Sequence, residues 1–150
     1  MCSSDLVSDP PTEAELAASR EWVRQELMQG CASFPERVAV LAGVGGTITV
    51  LAALEAGMNA YDPTLLEGAF MPRERVLALV DRLVRTTHEE RRAMPGMGEG
   101  RADIVGTGAL VVEGLLERFQ APGLICSTQG LRYGLARLAG EEWRALQREA

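Results

Sequence analysis

The chain of 150 residues contains no lysine, so each of its 15 fixed positive charges is an arginine. This absence excludes a P-loop nucleotide hydrolase, because the phosphate-binding loop of that class requires Gly-Lys-Ser or Gly-Lys-Thr. The formal net charge is -6, which argues against broad binding to nucleic acid, since that depends on neutralising many phosphates. A single phosphate ligand is still allowed, because one or two arginines and oriented backbone amides are enough to bind it.

Cysteine and histidine are scarce as well. Cys2, Cys31 and Cys126 are widely spaced and odd in number, which indicates reduced thiols in a cytoplasmic protein. No apolar run approaches the ~20 residues of a membrane-spanning helix, and residues 1–5 lack the basic and apolar segments of a secretory signal. With His88 as the single histidine, the sequence shows no metal-ligand spacing and no Ser/His/Asp or Cys/His arrangement. It therefore predicts no nucleophile or general base.

Residues 37–57 are the most informative segment that is present. The run 38–42 is short and apolar throughout, which predicts a buried strand. Glycines at 43, 45 and 46 then predict a tight turn, and Thr47 opens a predicted helix that ends near residue 56. Such a turn exposes backbone N–H groups beside the positive end of a helix dipole, an arrangement that suits an anion such as phosphate.

Two other interpretations of this turn differ in strength. Glycines between a strand and a helix are often purely structural, since they permit a tight turn, and this alternative stays open. A dinucleotide-binding fingerprint is rejected, because it needs a third glycine at position 48, where this chain has Ile48.

Hydrophobic spacing and capping signals predict a helix-rich α/β chain with few strands. Capping boxes begin at Thr12 and Thr87, each with a glutamate three residues later. The ambiguous stretch 104–112 is assigned to a helix in which Gly106 and Gly108 allow another element to approach closely. The predicted helices are 12–29, 47–56, 72–85, a short one from 88 stopped at 95–96, 101–119, 130–139 and 141–149; the predicted strands are 38–42 and 124–127, and 57–68 is a loop.

Few other residues stand out, and each has a simple structural explanation. Arg101 is either solvated, with Asp103 capping the first turn of the following helix, or a phosphate ligand, since a guanidinium can bind two oxygens at once. His88 lies inside a capping box and is interpreted as a surface residue, and residues 89–92 as an exposed helix face. Both tryptophans are interpreted as packing residues: Trp22 and Trp143.

The order of the motifs is more specific than any one of them. They are Gly-Val-Gly-Gly-Thr at 43–47, Tyr-Asp-Pro at 61–63, Met-Pro-Gly at 94–96, Arg-Ala-Asp at 101–103 and Gly-Leu-Arg at 130–132. Together they resemble the exopolyphosphatase and guanosine pentaphosphate phosphatase (Ppx/GppA) family over about residues 10–138. The resemblance implies part of an actin-like, ribonuclease-H-like (ASKHA) domain that is helix-rich and has few, parallel strands. It also implies hydrolysis of the terminal phosphoanhydride of polyphosphate or of guanosine pentaphosphate (pppGpp) with Mg²⁺.

The resemblance covers only part of the second domain of such a protein. The first domain, with the glutamate that activates water, and the Asp-x-Gly-Gly-Gly-Ser hairpin of the second domain have no match here. We therefore expect residues 10–150 to form a partial second domain whose 38–42 strand has an unpaired edge, and we expect the chain to be inactive alone. Residues 1–9 are expected to be a non-native or disordered tail, because residues 2–6 look like a translated sequencing adapter.

By residue, the resemblance implies a phosphate-binding surface but no catalytic residue and no metal ligand in this chain. Tyr133 departs from the family, in which many members have glutamate there, and this indicates a subgroup. The residues assigned to the phosphate cleft are Gly43, Gly45, Gly46, Thr47 and Arg101.

The implied partners are the phosphate substrate and the missing first domain of the same protein, without nucleic acid or membrane, and a homodimer is left open. Two rival functions also stay open. One is a fragment of an actin-like ATP-dependent kinase, and the other is a non-enzymatic phosphate-binding or regulatory module.

Overall fold

The computed structural model describes residues 7–98 and 100–149, with side chains as far as residue 141. Helices surround a small sheet of three strands: β1 (Leu41–Val44), β2 (Phe70–Pro72) and β3 (Gly123–Ser127). The helices are α1 (Glu13–Gly30), α2 (Gly46–Glu55), α3 (Pro63–Leu66), α4 (Arg73–Arg85), α5 (His88–Arg92), α6 (Val105–Arg118) and α7 (Leu131–Glu149).

The sheet has the order β1-β3-β2. β1 pairs in parallel with β3, with Leu41 opposite Leu124, and β2 pairs antiparallel with β3, with Phe70 opposite Ile125. The sheet is therefore mixed, which corrects the expectation of parallel strands. Within the described residues β1 has a partner on one side only, so the predicted unpaired edge is confirmed.

The first strand lies further along the chain than the predicted 38–42. The Val38 amide donates to the Phe119 carbonyl at 3.1 Å, so this segment is tied to the end of α6 instead of the sheet. Pairing begins only at Leu41, which lies opposite Leu124, the second residue of β3. As a result Gly43 belongs to the strand, opposite Cys126, and not to the turn after it.

Helices α2, α4 and α6 pack against one another and, with β3, form the core. In α4, apolar residues at positions 76, 77, 80, 83 and 84 of the sequence predict one buried stripe. This is confirmed in its main part, because four of the five are buried while Leu77 is half-buried. Helix α1 covers α6 through Leu16 and Val23. The buried members of the α4 stripe are Val76, Val80, Leu83 and Val84.

Two predicted capping boxes are present and define where helices begin. Thr12 caps α1 with Glu15, and Thr87 caps α5 with Glu90. Ahead of α1, the Val7 and Ser8 amides donate to Glu15 at 2.9 and 3.1 Å. The prediction for the tail falls mostly on residues 1–6, which lie outside the described residues.

Other predicted boundaries differ from the structure. The predicted loop 57–68 contains α3, whose N-cap Asp62 accepts from the Thr64 amide at 2.9 Å. Helix α6 begins at Val105 and not at 101, and the two predicted closing helices form the single helix α7. In the described part of the chain, none of the helices combines the length and hydrophobicity that crossing a lipid bilayer demands.

Candidate functional site

The turn between β1 and α2 presents an uncapped helix N-terminus. Gly45 precedes the helix with φ 110°, a value that glycine adopts without strain. Its carbonyl accepts from the Thr49 amide at 3.1 Å, which closes the first turn. Among the described residues, no side chain forms a cap hydrogen bond at this end of α2. Its first N–H groups are therefore available to water or to an anion, beside the positive end of the helix dipole.

The Arg101 side chain lies directly on this turn. A Cβ atom added to Gly46 would lie 1.7 Å from Arg101 Nη1 and 2.6 Å from Arg101 Cζ, so the guanidinium fills the space that a side chain would occupy. The Arg101 carbonyl accepts from the Ile104 and Val105 amides at 3.2 and 3.0 Å, which anchors its backbone at the start of α6. Gly46 and Arg101, two candidate phosphate-binding residues that are far apart in the sequence, are therefore in contact.

Two other candidates point elsewhere. Gly43 faces the packed interior, because a Cβ there would lie 2.8 Å from Ile48 Cδ1. The Thr47 side chain lies against α6, where a Cβ on Gly108 would be 2.3 Å from Thr47 Oγ1. The side chain of Thr47 is therefore used for packing, although its amide remains in the first turn of α2. The surface at the turn is formed by Gly45, Gly46 and Arg101.

A shallow pocket of about 320 Å³ adjoins this surface, and Arg101 is one of its lining residues. Its volume is at the lower end of the range of ligand pockets. The Thr49 hydroxyl in its wall donates to the Gly46 carbonyl at 3.0 Å, so it is already engaged. Among the described residues, those that line it are Thr49, Val50, Tyr61, Gly96, Met97, Gly98 and Arg101. Arg101 supplies the charge in this set, and a guanidinium suits an anion.

Glu67 occupies the neighbouring end of β3, and the sequence offered no signal for it. Its carboxylate accepts from the Ser127 hydroxyl at 3.0 Å and from the Thr128 amide and hydroxyl. Hydrogen bonds from the Thr128 hydroxyl and amide lower the pKa of Glu67. A carboxylate with a lowered pKa and several donors already bound is a weak base, so Glu67 is a poor candidate for activating water.

Two predictions near Arg101 are wrong. Asp103 does not cap α6, whose first turn has no side-chain cap; it lies 3.6 Å from His88 Nε2 instead. Arg91 was assigned to an exposed helix face, yet it is only 8% exposed. Its Nε donates to the Ala102 carbonyl at 2.9 Å. His88 is half-exposed, as expected of a surface residue.

Comparison with known protein families gives a clear match. The model of the Ppx/GppA phosphatase family matches residues 3–138. The chain belongs to the Ppx/GppA phosphatase family. The resemblance inferred from the order of the motifs is thereby confirmed, and the kinase alternative is not favoured.

Relatives of this Ppx/GppA chain are considerably longer. Exopolyphosphatase 2 of Mycobacterium tuberculosis (strain CDC 1551 / Oshkosh) is 39% identical over 111 residues, which are 73% of this chain and 35% of that protein. The chain thus spans about a third of the length of the curated relatives it matches.

Solved structures agree with this assignment. The Aquifex aeolicus Ppx/GppA family member has a TM-score of 0.82 at 31% identity, covering 95% of this chain and 45% of that one. An exopolyphosphatase from Cytophaga hutchinsonii has a TM-score of 0.68 at 24% identity, covering 81% of this chain and 40% of that one, and shares the fold. The expected helix-rich part of a Ppx/GppA domain is therefore confirmed.

Proposed function

We propose that this chain supplies one wall of the substrate site of an exopolyphosphatase-type hydrolase acting on polyphosphate or guanosine pentaphosphate. One observation carries the proposal: the Arg101 guanidinium lies on Gly46 at the uncapped N-terminus of α2. Backbone N–H groups and a delocalised cation converge there, and both donate hydrogen bonds to phosphate oxygens.

Hydrolysis of a terminal phosphoanhydride requires water to attack phosphorus in line while charge on the oxygens is stabilised. The wall formed by Gly45, Gly46 and Arg101 can bind and neutralise those oxygens. Among the described residues it has no group to accept a proton from water, since those that line the pocket include no carboxylate. We therefore propose that the base comes from polypeptide outside this chain, and that the chain alone binds phosphate without hydrolysing it.

Magnesium, which the family resemblance implies, does not fit this wall. Mg²⁺ binds carboxylate, carbonyl and water oxygens, whereas the groups presented here are N–H donors and a guanidinium. The described residues hold no cluster of three His, Cys, Asp or Glu side chains. The proposal therefore assigns phosphate binding to this chain and any magnesium ligands to other residues.

Calorimetric titration of the chain with metal-free tripolyphosphate tests the proposal. Arg101→Gln is expected to weaken binding roughly ten- to a hundredfold, since a charge-assisted hydrogen bond contributes about 1.5–3 kcal/mol. Gly46→Ala should also weaken binding, because its Cβ displaces the guanidinium. Arg82→Gln removes the same charge from an exposed position of α4 and serves as the matched control.

Equal affinities for the Arg101→Gln and Arg82→Gln chains would show that Arg101 is not a phosphate ligand. A separate assay measures release of phosphate from polyphosphate with Mg²⁺ present. Turnover by the unaltered chain would contradict the proposal that it is inactive alone. The result of the binding experiment would still stand, because it is measured without metal.

A further inference from the structure

Arg91 is a buried cation whose hydrogen bonds all go to backbone carbonyls. Its Nε donates to the Ala102 carbonyl at 2.9 Å, and its Nη1 donates to the Leu83 carbonyl at 3.1 Å and to the Thr86 carbonyl. Asp9 lies 3.7 Å from Nη2 and is the nearest opposite charge among the described residues. Burying an arginine is costly unless its donors are satisfied, and here main-chain oxygens accept from Nε and Nη1.

The Leu83 and Thr86 carbonyls lie at the end of α4, where Thr86 is the C-cap. Carbonyls in the last turn of a helix lack partners within the helix and carry the negative end of its dipole. They therefore form a rigid, negatively polarised anchor for the guanidinium. A second nitrogen of the guanidinium, Nε, extends this anchor to the Ala102 carbonyl.

Ala102 directly follows Arg101, and its side chain is buried at 2% exposure. The loop before Arg101 contains Gly96, Gly98 and Gly100, all with positive φ. Glycines of this kind permit the sharp turns of the loop, and Met97 among them is buried at 1% exposure. On the C-terminal side of Arg101, the backbone is held by the hydrogen bond from Arg91 to the Ala102 carbonyl and by the first turn of α6.

We infer that Arg91 is a positioning residue for the phosphate site: it fixes the peptide after Arg101 and thereby places the Arg101 guanidinium on Gly46. This inference rests on the proposed function, because Arg101 is the group that contacts phosphate. Arg91 itself is buried near the ends of α4 and α5 and is not among the described residues that line the pocket beside Arg101.

Arginine suits this role better than lysine. Its planar fork donates in several fixed directions at once, whereas an ammonium group is compact and has no donor equivalent to Nε. Arg91→Lys retains the buried positive charge but loses the donation to Ala102. Arg91→Met retains most of the side-chain length and loses every donor. The neighbouring Arg92 is exposed on the same helix, and Arg92→Met is the matched control.

A double-mutant cycle on tripolyphosphate affinity tests the inference. Arg91→Met should weaken binding about tenfold in the unaltered chain and less than about twofold in the Arg101→Gln chain, because Arg91 acts through Arg101. Arg91→Lys should have an affinity between those of the unaltered chain and Arg91→Met, about threefold weaker than the unaltered chain. Arg92→Met should leave affinity unchanged.

If Arg91 has only a structural role, Arg91→Met will lower the unfolding temperature but leave the tripolyphosphate affinity of the folded chain unchanged. That result overturns the inference. If Arg91→Met does not fold, Arg91→Lys decides: full affinity in the folded variant overturns the inference as well. If Arg101→Gln alone has no effect, the proposed function fails and the inference fails with it. A loss with Arg101→Gln but none with either Arg91 variant overturns the positioning role alone.

Discussion

Gly108 and Gly106 lie close together on α6, yet only one of them faces another element. A Cβ at Gly108 would lie 2.3 Å from Thr47 Oγ1 and 3.2 Å from Thr47 Cβ, whereas one at Gly106 would have no neighbouring atom within 4 Å. The sequence predicts close approach at both glycines, which is correct for Gly108 and wrong for Gly106. Because Thr47 is in α2, contact at Gly108 helps to set the distance between Gly46 and Arg101.

Gly108→Ala is expected to destabilise the chain by about 1 kcal/mol. Overpacking costs roughly 1–3 kcal/mol, and the better helix propensity of alanine returns at most ~1 kcal/mol. Urea denaturation measures the change. In a Thr47→Ala background the cost should shrink, since the clashing Oγ1 is gone.

Gly106→Ala is the control on the same helix. It should leave the free energy of unfolding unchanged or raise it by up to ~1 kcal/mol. Equal destabilisation by Gly106→Ala and Gly108→Ala would show that contact with Thr47 is not the cause.

At the scale of the element, both capping boxes show how a local sequence signal defines a helix start. In α1 the Glu15 carboxylate accepts from the Thr12 amide at 2.7 Å and also from the Val7 and Ser8 amides. These hydrogen bonds lower the pKa of Glu15 from 4.5 to about 2, and the one from the Thr12 amide has the largest effect. Glu15 thereby joins residues 7–12 to the helix that covers α6.

Stability is therefore expected to fall on acidification through the protonation of Glu15. A carboxyl whose pKa is lowered on folding contributes stability above its unfolded pKa, near 4.5, and that contribution is lost as the pH falls towards about 2. Urea midpoints measured between pH 7 and pH 2.5 should fall less steeply for Glu15→Gln than for the unaltered chain.

Glu26→Gln, at an exposed position of the same helix, controls for the loss of one negative charge. If Glu15→Gln and Glu26→Gln alter the pH profile to the same extent, the capping contact is not responsible.

At the scale of the whole molecule, apolar groups remain uncovered at one edge of the sheet and along α7. β1 has no strand on its outer side among the described residues, and Val44 in it is 55% exposed. In α7, Leu131, Leu135 and Leu138 are 79%, 57% and 59% exposed. Unpaired strand edges and exposed apolar side chains both favour association with other protein surfaces.

The chain is accordingly expected to self-associate in a concentration-dependent way, as sedimentation velocity would measure. Ala42→Lys places a charge in the middle of exposed β1 and should shift the distribution towards monomer, because a lysine on an edge strand opposes strand pairing. Leu65→Lys removes an exposed apolar residue from α3 and is the control. An equal shift with Leu65→Lys would mean that general hydrophobicity, and not the β1 edge, drives association.

Several elements could be predicted from the sequence because their signals are local. The capping boxes at Thr12 and Thr87 and the 3.6-residue apolar period of α4 involve neighbours within a few positions. The helix start at Gly46 follows from the adjoining glycines in the same way. By contrast, β2 is only three residues long and exists because it pairs with β3, a contact for which its own residues carry no periodic signal.

The sequence by itself determined the family, most helices and the presence of a glycine turn suited to an anion, because these depend on residue order and short-range spacing. Only the tertiary structure decided that β1 begins at Leu41, that Arg91 is buried and that Arg101 lies on Gly46. Each of these depends on which distant segments pack together. A charged side chain such as Arg91 has the same local pattern whether it meets water or the buried carbonyls of another helix.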